Sequence, residues 1–190
     1  MLKIAHRINT VEALESTDKS YGVEVDLRHQ GERIILQHEP FVDGEDFAEW
    51  LKRYRHAFLV LNIKSEGIED KVRGMLLARG IKDYFFLDVS FPAMVKLMDR
   101  GEKKIAVRFS EFEGLDTVIN LSNKVDWVWV DCFKEMPLTR SVYDSLKKHF
   151  KICMVSPELQ GQGPGKIALF KEQLRGISLS AVCTKAPELW

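Results

Sequence analysis

Near the N-terminus, Ala5-His6-Arg7 closes one short apolar run, Gly22-Val-Glu-Val-Asp-Leu-Arg28 contains a second, and Ile34-Ile-Leu-Gln-His38 ends a third. Two histidines, two carboxylates and an arginine therefore stand at or near the ends of three early strand candidates. Side chains on a strand repeat with period two, so Glu24 and Asp26 project from one face. Two hard oxygen ligands side by side suit a divalent cation such as Mg²⁺ or Ca²⁺. Histidine titrates near neutrality, so one of His6 and His38 can take a proton from an attacking hydroxyl while the other gives one to a leaving oxygen. Arg7 adds a forked cation matched to phosphate oxygens. Together these groups suit the cleavage of a phosphodiester. Singly, each has a blander reading: a histidine at a strand end is more often structural, and a pair of acids more often a solvated face. Only the ordered combination carries the chemistry.

A frame must bring these groups together, and the patterning supplies one. Apolar runs predict strands over residues 2–5, 23–27, 34–37, 58–63, 84–89, 105–109, 127–131, 152–155 and 179–183. Between most of them, apolar residues recur at helical spacing: Phe47, Trp50, Leu51 and Tyr54; Val72, Met75 and Leu76; Met94, Val95 and Met98; Val142, Leu146 and Phe150; Ile167, Phe170 and Leu174. Asp43 or Asp46 is placed to start the second helix, Gly80 and Gly101 to stop two others, and Thr139 to cap a later one. The alternation recurs roughly every 20 to 25 residues without a linker, which predicts a single domain over residues 1–190: a compact (β/α)₈ TIM-type barrel with short loops and no roofing subdomain. In that frame residues 34–37 extend an excursion from the second strand rather than forming a barrel strand of their own. An open doubly wound sheet is the alternative. A barrel places its chemistry at the carboxyl ends of strands. Those ends carry His6, Arg7, Glu24, Asp26, His38, Asn62, Lys64, Asp88, Arg108, Asp131, Glu158 and Lys185. Polar residues begin wherever burial stops, and that alone accounts for about half of these positions.

The 190 residues are 45% hydrophobic and 29% charged, enough for one well-packed core. Lysine plus arginine and aspartate plus glutamate balance at 28 each, so net charge points to neither nucleic acid nor an anionic membrane. No apolar stretch approaches the ~20 residues that span a bilayer, and no charged-then-apolar leader opens the chain, which predicts a cytoplasmic protein. Cys132, Cys153 and Cys183 are odd in number and sit in apolar runs, as reduced core thiols do.

The order Ala-His-Arg, then Glu-x-Asp on the next strand, a histidine a dozen residues on, and a lysine after the third apolar strand resembles the glycerophosphodiester phosphodiesterase family. That family lies within the wider phosphatidylinositol-phospholipase-C-like barrels, and the resemblance covers the first third of the chain. It implies a metal-dependent barrel that hydrolyses a glycerophosphodiester or similar small phosphodiester. His6 and His38 resemble its acid and base, and Glu24 and Asp26 its metal ligands. Arg7 and Lys64 resemble the cations that bind the substrate phosphate. The departures are local. Ile8 replaces a glycine after the His-Arg pair, only Asn9-Thr10 matches the stretch that follows, and Glu39 stands for the aspartate after the second histidine. Asn62 occupies the place of an acidic third metal ligand. An asparagine carbonyl still binds a hard cation, with one negative charge fewer.

Other features take structural readings. His29 belongs to a polar turn, and His56 and His149 lie near helix ends, where a cation complements the dipole. Trp127 and Trp129 are expected to pack between sheet and helix, because large aromatics overfill an eight-stranded barrel; Asp131 shares their parity. The stretch Gly161-Gln-Gly-Pro-Gly-Lys166 lacks the spacing and the hydroxyl residue of a phosphate loop and reads first as a flexible loop, second as an anion-binding turn. Two other functions stay in view. One is a catalytically weak or inactive barrel that binds a phosphate ligand or regulates. The other is a lyase or aldolase in which Lys64 forms a Schiff base.

Overall fold

The computed structural model describes residues 1–190. The apolar runs form strands β1 (Leu2–Ala5), β2 (Gly22–Gln30), β3 (Arg33–Leu36), β5 (Phe58–Ile63), β6 (Tyr84–Leu87), β7 (Ala106–Phe109), β8 (Trp127–Val130), β9 (Lys151–Val155) and β10 (Ala181–Thr184), with a short β4 (Glu45–Asp46). The helices are α1 (Val11–Ser16), α2 (Phe47–Arg53), α3 (Glu69–Ala78), α4 (Phe91–Asp99), α5 (Leu115–Ile119), α6 (Arg140–Leu146) and α7 (Lys166–Gln173). Caps account for several boundaries. The Asp46 carboxylate accepts from Glu49 N at 3.1 Å, and the Thr139 hydroxyl from Val142 N at 3.3 Å. Gly80 and Gly101 take φ of +66° and +80°, the left-handed geometry that ends α3 and α4.

The result is an α/β fold around a mostly parallel sheet. Parallel pairing runs β7-β8-β9-β10-β1-β2-β5-β6, and Phe86 of β6 makes one parallel bridge to Ile105, just ahead of β7. Beside it Phe86 N donates to Lys104 O at 2.9 Å. β3 runs antiparallel to β2 and, as expected, carries the chain away from the parallel set, with β4 on its far edge. No helix is long and apolar enough to cross a membrane.

Strand alternation divides the core in two. Val23, Val25 and Leu27 belong to a large cluster shared with Trp50, Val72, Met94 and other helix residues. Ile4, Val60, Phe85, Leu87, Ala106, Trp127, Trp129, Cys153 and Cys183 belong to a second cluster drawn from the strands. The two tryptophans therefore face away from the helices, against expectation. Phe85 lies 4.8 Å and Phe58 5.4 Å from Trp127, ring centre to ring centre. Room for the indoles comes from small residues on the same face, Ala106, Cys153, Ala181 and Cys183, since interiors of this kind balance large residues with small ones. All three cysteines are buried free thiols. His56 is also corrected: it is buried rather than a surface cap, its ring nitrogen 3.1 Å from Thr17 O.

Gly44 holds the return from β3 to β4. A Cβ there would stand 2.3 Å from the carbonyl oxygen of Leu36, a backbone atom that cannot rotate aside. Gly44→Ala is expected to lower stability by about 1–3 kcal/mol in chemical denaturation, with the displacement falling on the segment that carries His38.

Candidate active site

Parallel strands deliver their carboxyl ends to one face, and there His6, Arg7, Glu24, Asp26, Asn62 and Lys64 come together, with His38 beyond the antiparallel β3. Ala5↔Val23 and Asp26↔Asn62 are register partners, which sets β1, β2 and β5 side by side. On β2 the face shared with the inner cluster carries Glu24 and Asp26, both almost completely buried. Glu24 accepts from the Arg7 backbone N–H at 2.7 Å and from Asn62 Nδ2 at 2.9 Å, and His6 Nε2 stands 3.8 Å from its carboxylate. Asp26 is clamped by Asn9, whose Nδ2 donates to the carboxylate at 2.9 Å while its Oδ1 accepts from Asp26 N at 2.9 Å. Arg7 Nε and Lys64 Nζ each lie 3.8 Å from an Asp26 oxygen. Arg7 itself takes φ of +56°, an unfavourable left-handed geometry that persists at the end of β1.

Burial sets the charges. It pushes the His6 imidazole down to about 3, helped by the cation of Arg7, so the ring is neutral at physiological pH. Burial pushes the Glu24 carboxyl up to about 7, and the neighbouring Asp26 adds to the effect. His38 is more open. Its Nδ1 lies 2.6 Å from Glu39 Oε1, and its charge is one of those opposing protonation of His6.

Glu24, Asp26 and Asn62 are the residues that could hold a divalent cation, and two oxygens without hydrogen bonds fit one. Asp26 Oδ1 and Asn62 Oδ1 are both buried without a hydrogen-bond partner, on register-paired residues of adjacent strands. Two crowded carboxylates with one pushed toward neutrality also call for positive charge. The donors are all oxygen, which suits Mg²⁺ or Ca²⁺. With Asn62 in third place, no group of three or more His, Cys, Asp or Glu side chains is arranged to hold a metal.

Lys64 leads to a second set of residues that received no specific role from the sequence. Lys64 Nζ donates to Asp88 at 2.9 Å, Asp88 accepts from Arg108 Nε at 2.6 Å, and Arg108 continues to Asp131. Asp131 also accepts from Gln160 at 2.9 Å and from Trp129 Nε1 at 3.3 Å. Its projection follows from the inward tryptophans. Burial opposes ionisation of Asp88, but its bonds to Arg108 and Lys64 prevail and hold its carboxyl below the ordinary range. Lys64 Nζ is engaged by Asp88 at 2.9 Å, which argues against the Schiff-base reading. Arg28 pins two site segments at once: Nε and Nη2 donate to His38 O at 3.1 and 2.7 Å, and Nη1 donates to Lys64 O at 3.0 Å. Charged residues interrupting apolar strands were the available signal for Asp88, Arg108 and Asp131. Nothing in the spacing marked Asn9 or Arg28 as supports.

This arrangement of buried acids and cations around His6, at the carboxyl ends of parallel strands, is set in the fold of the glycerophosphodiester phosphodiesterases. Two Agrobacterium tumefaciens proteins assigned as such enzymes superpose on the chain with TM-scores of 0.74 and 0.72, at 13% and 14% identity; each match covers 100% of this chain and 95% or 99% of the other. A glycerophosphoryl diester phosphodiesterase from Parabacteroides distasonis gives 0.68 at 11% identity, covering 99% of this chain and 84% of its own. No family model matches the sequence, and no curated protein matches it. At these identities the likeness establishes the fold.

Proposed function

We propose that the protein is a phosphoric diester hydrolase acting on a glycerophosphodiester or similar small phosphodiester. The observation that carries this reading is the pair of buried oxygens without hydrogen-bond partners, Asp26 Oδ1 and Asn62 Oδ1, next to Glu24 and within one mouth shared by His6, Arg7 and Lys64. The bridge from Phe86 to Ile105 between the two end strands supports closure of the sheet into a (β/α)₈ barrel, with that mouth at its top.

In this reading Glu24, Asp26 and Asn62 hold a divalent cation. When bound, the cation supplies Lewis acidity toward the phosphoryl oxygens. Arg7 and Lys64 bind the non-bridging oxygens and offset the charge that grows on them during in-line attack. His6, whose Nε2 stands 3.8 Å from the Glu24 carboxylate, takes the proton of the attacking hydroxyl or water. His38 delivers a proton to the departing alkoxide, its ring oriented by Glu39 as a carboxylate orients a catalytic imidazole. Asp88 and Arg28 act through others: one fixes the Lys64 ammonium, the other the backbone on both sides of the mouth.

Cation binding has a signature independent of turnover. A carboxyl whose folded-state value is raised stabilises the fold while protonated. For Glu24 that contribution is full below its ordinary 4.5 and is lost as pH rises through about 7. Mg²⁺, Ca²⁺ or Mn²⁺ is therefore expected to raise the melting temperature by roughly 5–10 °C at pH 8 under saturation, and to have little effect at pH 4.5, where protons compete for the carboxyls. Chelation should abolish hydrolysis of glycerophosphocholine in the same preparation. Equal melting with and without every cation at pH 8 would remove the metal from the account. The replacement of a third acid by Asn62 favours one further reading, a barrel of this kind that binds a phosphate ligand without turning it over. Cation-dependent melting without hydrolysis would select it.

A further inference from the structure

Where β6 and β7 meet through one bridge, a cavity of about 460 Å³ opens beside the mouth. Val89 and Met94 wall it on the α4 side, Val107 and Phe112 on the α5 side. Its charged end is formed by Asp88 and Arg108, two links of the chain of ion pairs that reaches Lys64. A ligand held at the mouth by its phosphate would therefore find an apolar recess next to the anion-binding cations. The volume is within the range of small-molecule sites, ~300–1,000 Å³. Two large rings stand at the rim, Phe112 71% exposed and Phe91 51% exposed, in a position to cover an apolar guest. The second acid of the lining, Glu113, is engaged as well, accepting from the Ser110 hydroxyl at 2.7 Å.

We infer that this cavity seats an apolar ester group of the substrate, so that the preferred phosphodiester is an amphiphile bearing an alkyl or aryl group rather than an ester of two polyols. The inference rests on the phosphodiesterase reading of the mouth and adds the substrate class. In this placement the phosphate meets Arg7 and Lys64, and the ester group passes the Asp88–Arg108 ion pair to reach Val89 and Met94.

The test is a chain-length series, p-nitrophenyl alkyl phosphodiesters from methyl to octyl for turnover, with the matching alkyl phosphates for binding by calorimetry. In the wild type kcat/KM is expected to rise about two- to fourfold per methylene until the cavity is filled. Thr117, an exposed residue of α5 that lines the cavity, lies outside the catalytic machinery. Thr117→Trp should fill the recess and flatten the series while leaving the methyl ester rate unchanged, and Phe112→Ala should reduce the slope without removing it. A flat wild-type series with the methyl ester cleaved overturns the cavity assignment and leaves the phosphodiesterase reading standing. Binding that tightens with chain length and is lost in Thr117→Trp, with no ester cleaved, keeps the cavity and overturns the catalytic reading. Neither cleavage nor chain-dependent binding overturns both.

Discussion

His6→Ala lowers kcat/KM on a small phosphodiester by about 10²- to 10⁴-fold, the loss expected when a positioned proton acceptor is removed. The fold should survive the change. The His6 backbone N–H donates to Thr184 O at 3.0 Å and does not depend on the side chain, while Nδ1 of the ring is buried without a partner. A polar atom buried without a hydrogen bond costs stability, so its removal offsets part of the packing lost with the ring. The pH dependence separates this role from a structural one. In the folded state His6 is driven to about 3, against 6.5 for an ordinary histidine, so between these values the unfolded chain binds the extra proton. Stability from this group therefore rises with pH from about 3 to 6.5 and is complete above that. Melting curves of the alanine variant should lose this part of the acid sensitivity while its turnover collapses. A variant with unchanged kcat/KM would exclude His6 as the base, whatever its melting behaviour.

Arg108→Met should be the most damaging single change to stability among the charged residues of the mouth. Arg108 bridges Asp88 and Asp131, and Asp131 is almost fully buried. Removing one partner of a buried pair costs about 3–5 kcal/mol because the other charge is left uncompensated. The Arg108 side chain is 31% exposed, so water takes up part of that loss. About 2–3 kcal/mol remains, or roughly 5–10 °C in melting temperature. Burial already pushes the Asp131 carboxyl up despite Arg108, and loss of the guanidinium pushes it further. Asp88 is held below its ordinary 3.8, a contribution present above that value and lost as pH falls through the folded-state one. The gap between variant and wild type should therefore be wide at pH 7 and close as pH falls below 3.8. A gap of constant size across that range would mean that Arg108 contributes packing rather than charge.

The strand frame could be read from the chain because strand signals here are strong and local. The run Phe58-Leu-Val-Leu-Asn-Ile63 has the same limits in sequence pattern and structure. Helices α1 and α5, six and five residues long, are too short for a 3.6-residue period to show. Glu24 and Asp26 could be placed on one face because period two requires it. The inward turn of Trp127 and Trp129 could not, because it depends on small residues from other strands, Ala106, Cys153, Ala181 and Cys183. Once that parity was assigned to the helix side, the link from Arg108 to Asp131 was hidden with it. Asn9 and Arg28 act through contacts 17, 10 and 36 residues away, and no local spacing encodes such pairings.

The central claim is that His6 and the Glu24–Asp26 pair form one phosphodiester-cleaving site. Its most direct test is hydrolysis of bis-p-nitrophenyl phosphate and glycerophosphocholine by three proteins, wild type, His6→Ala and Glu24→Gln, each with Mg²⁺, Ca²⁺ or Mn²⁺ added. The account predicts cation-dependent turnover in the wild type, with both variants reduced by at least about 10²-fold while remaining folded by circular dichroism. Turnover absent with every cation, or equal in all three proteins, would contradict it.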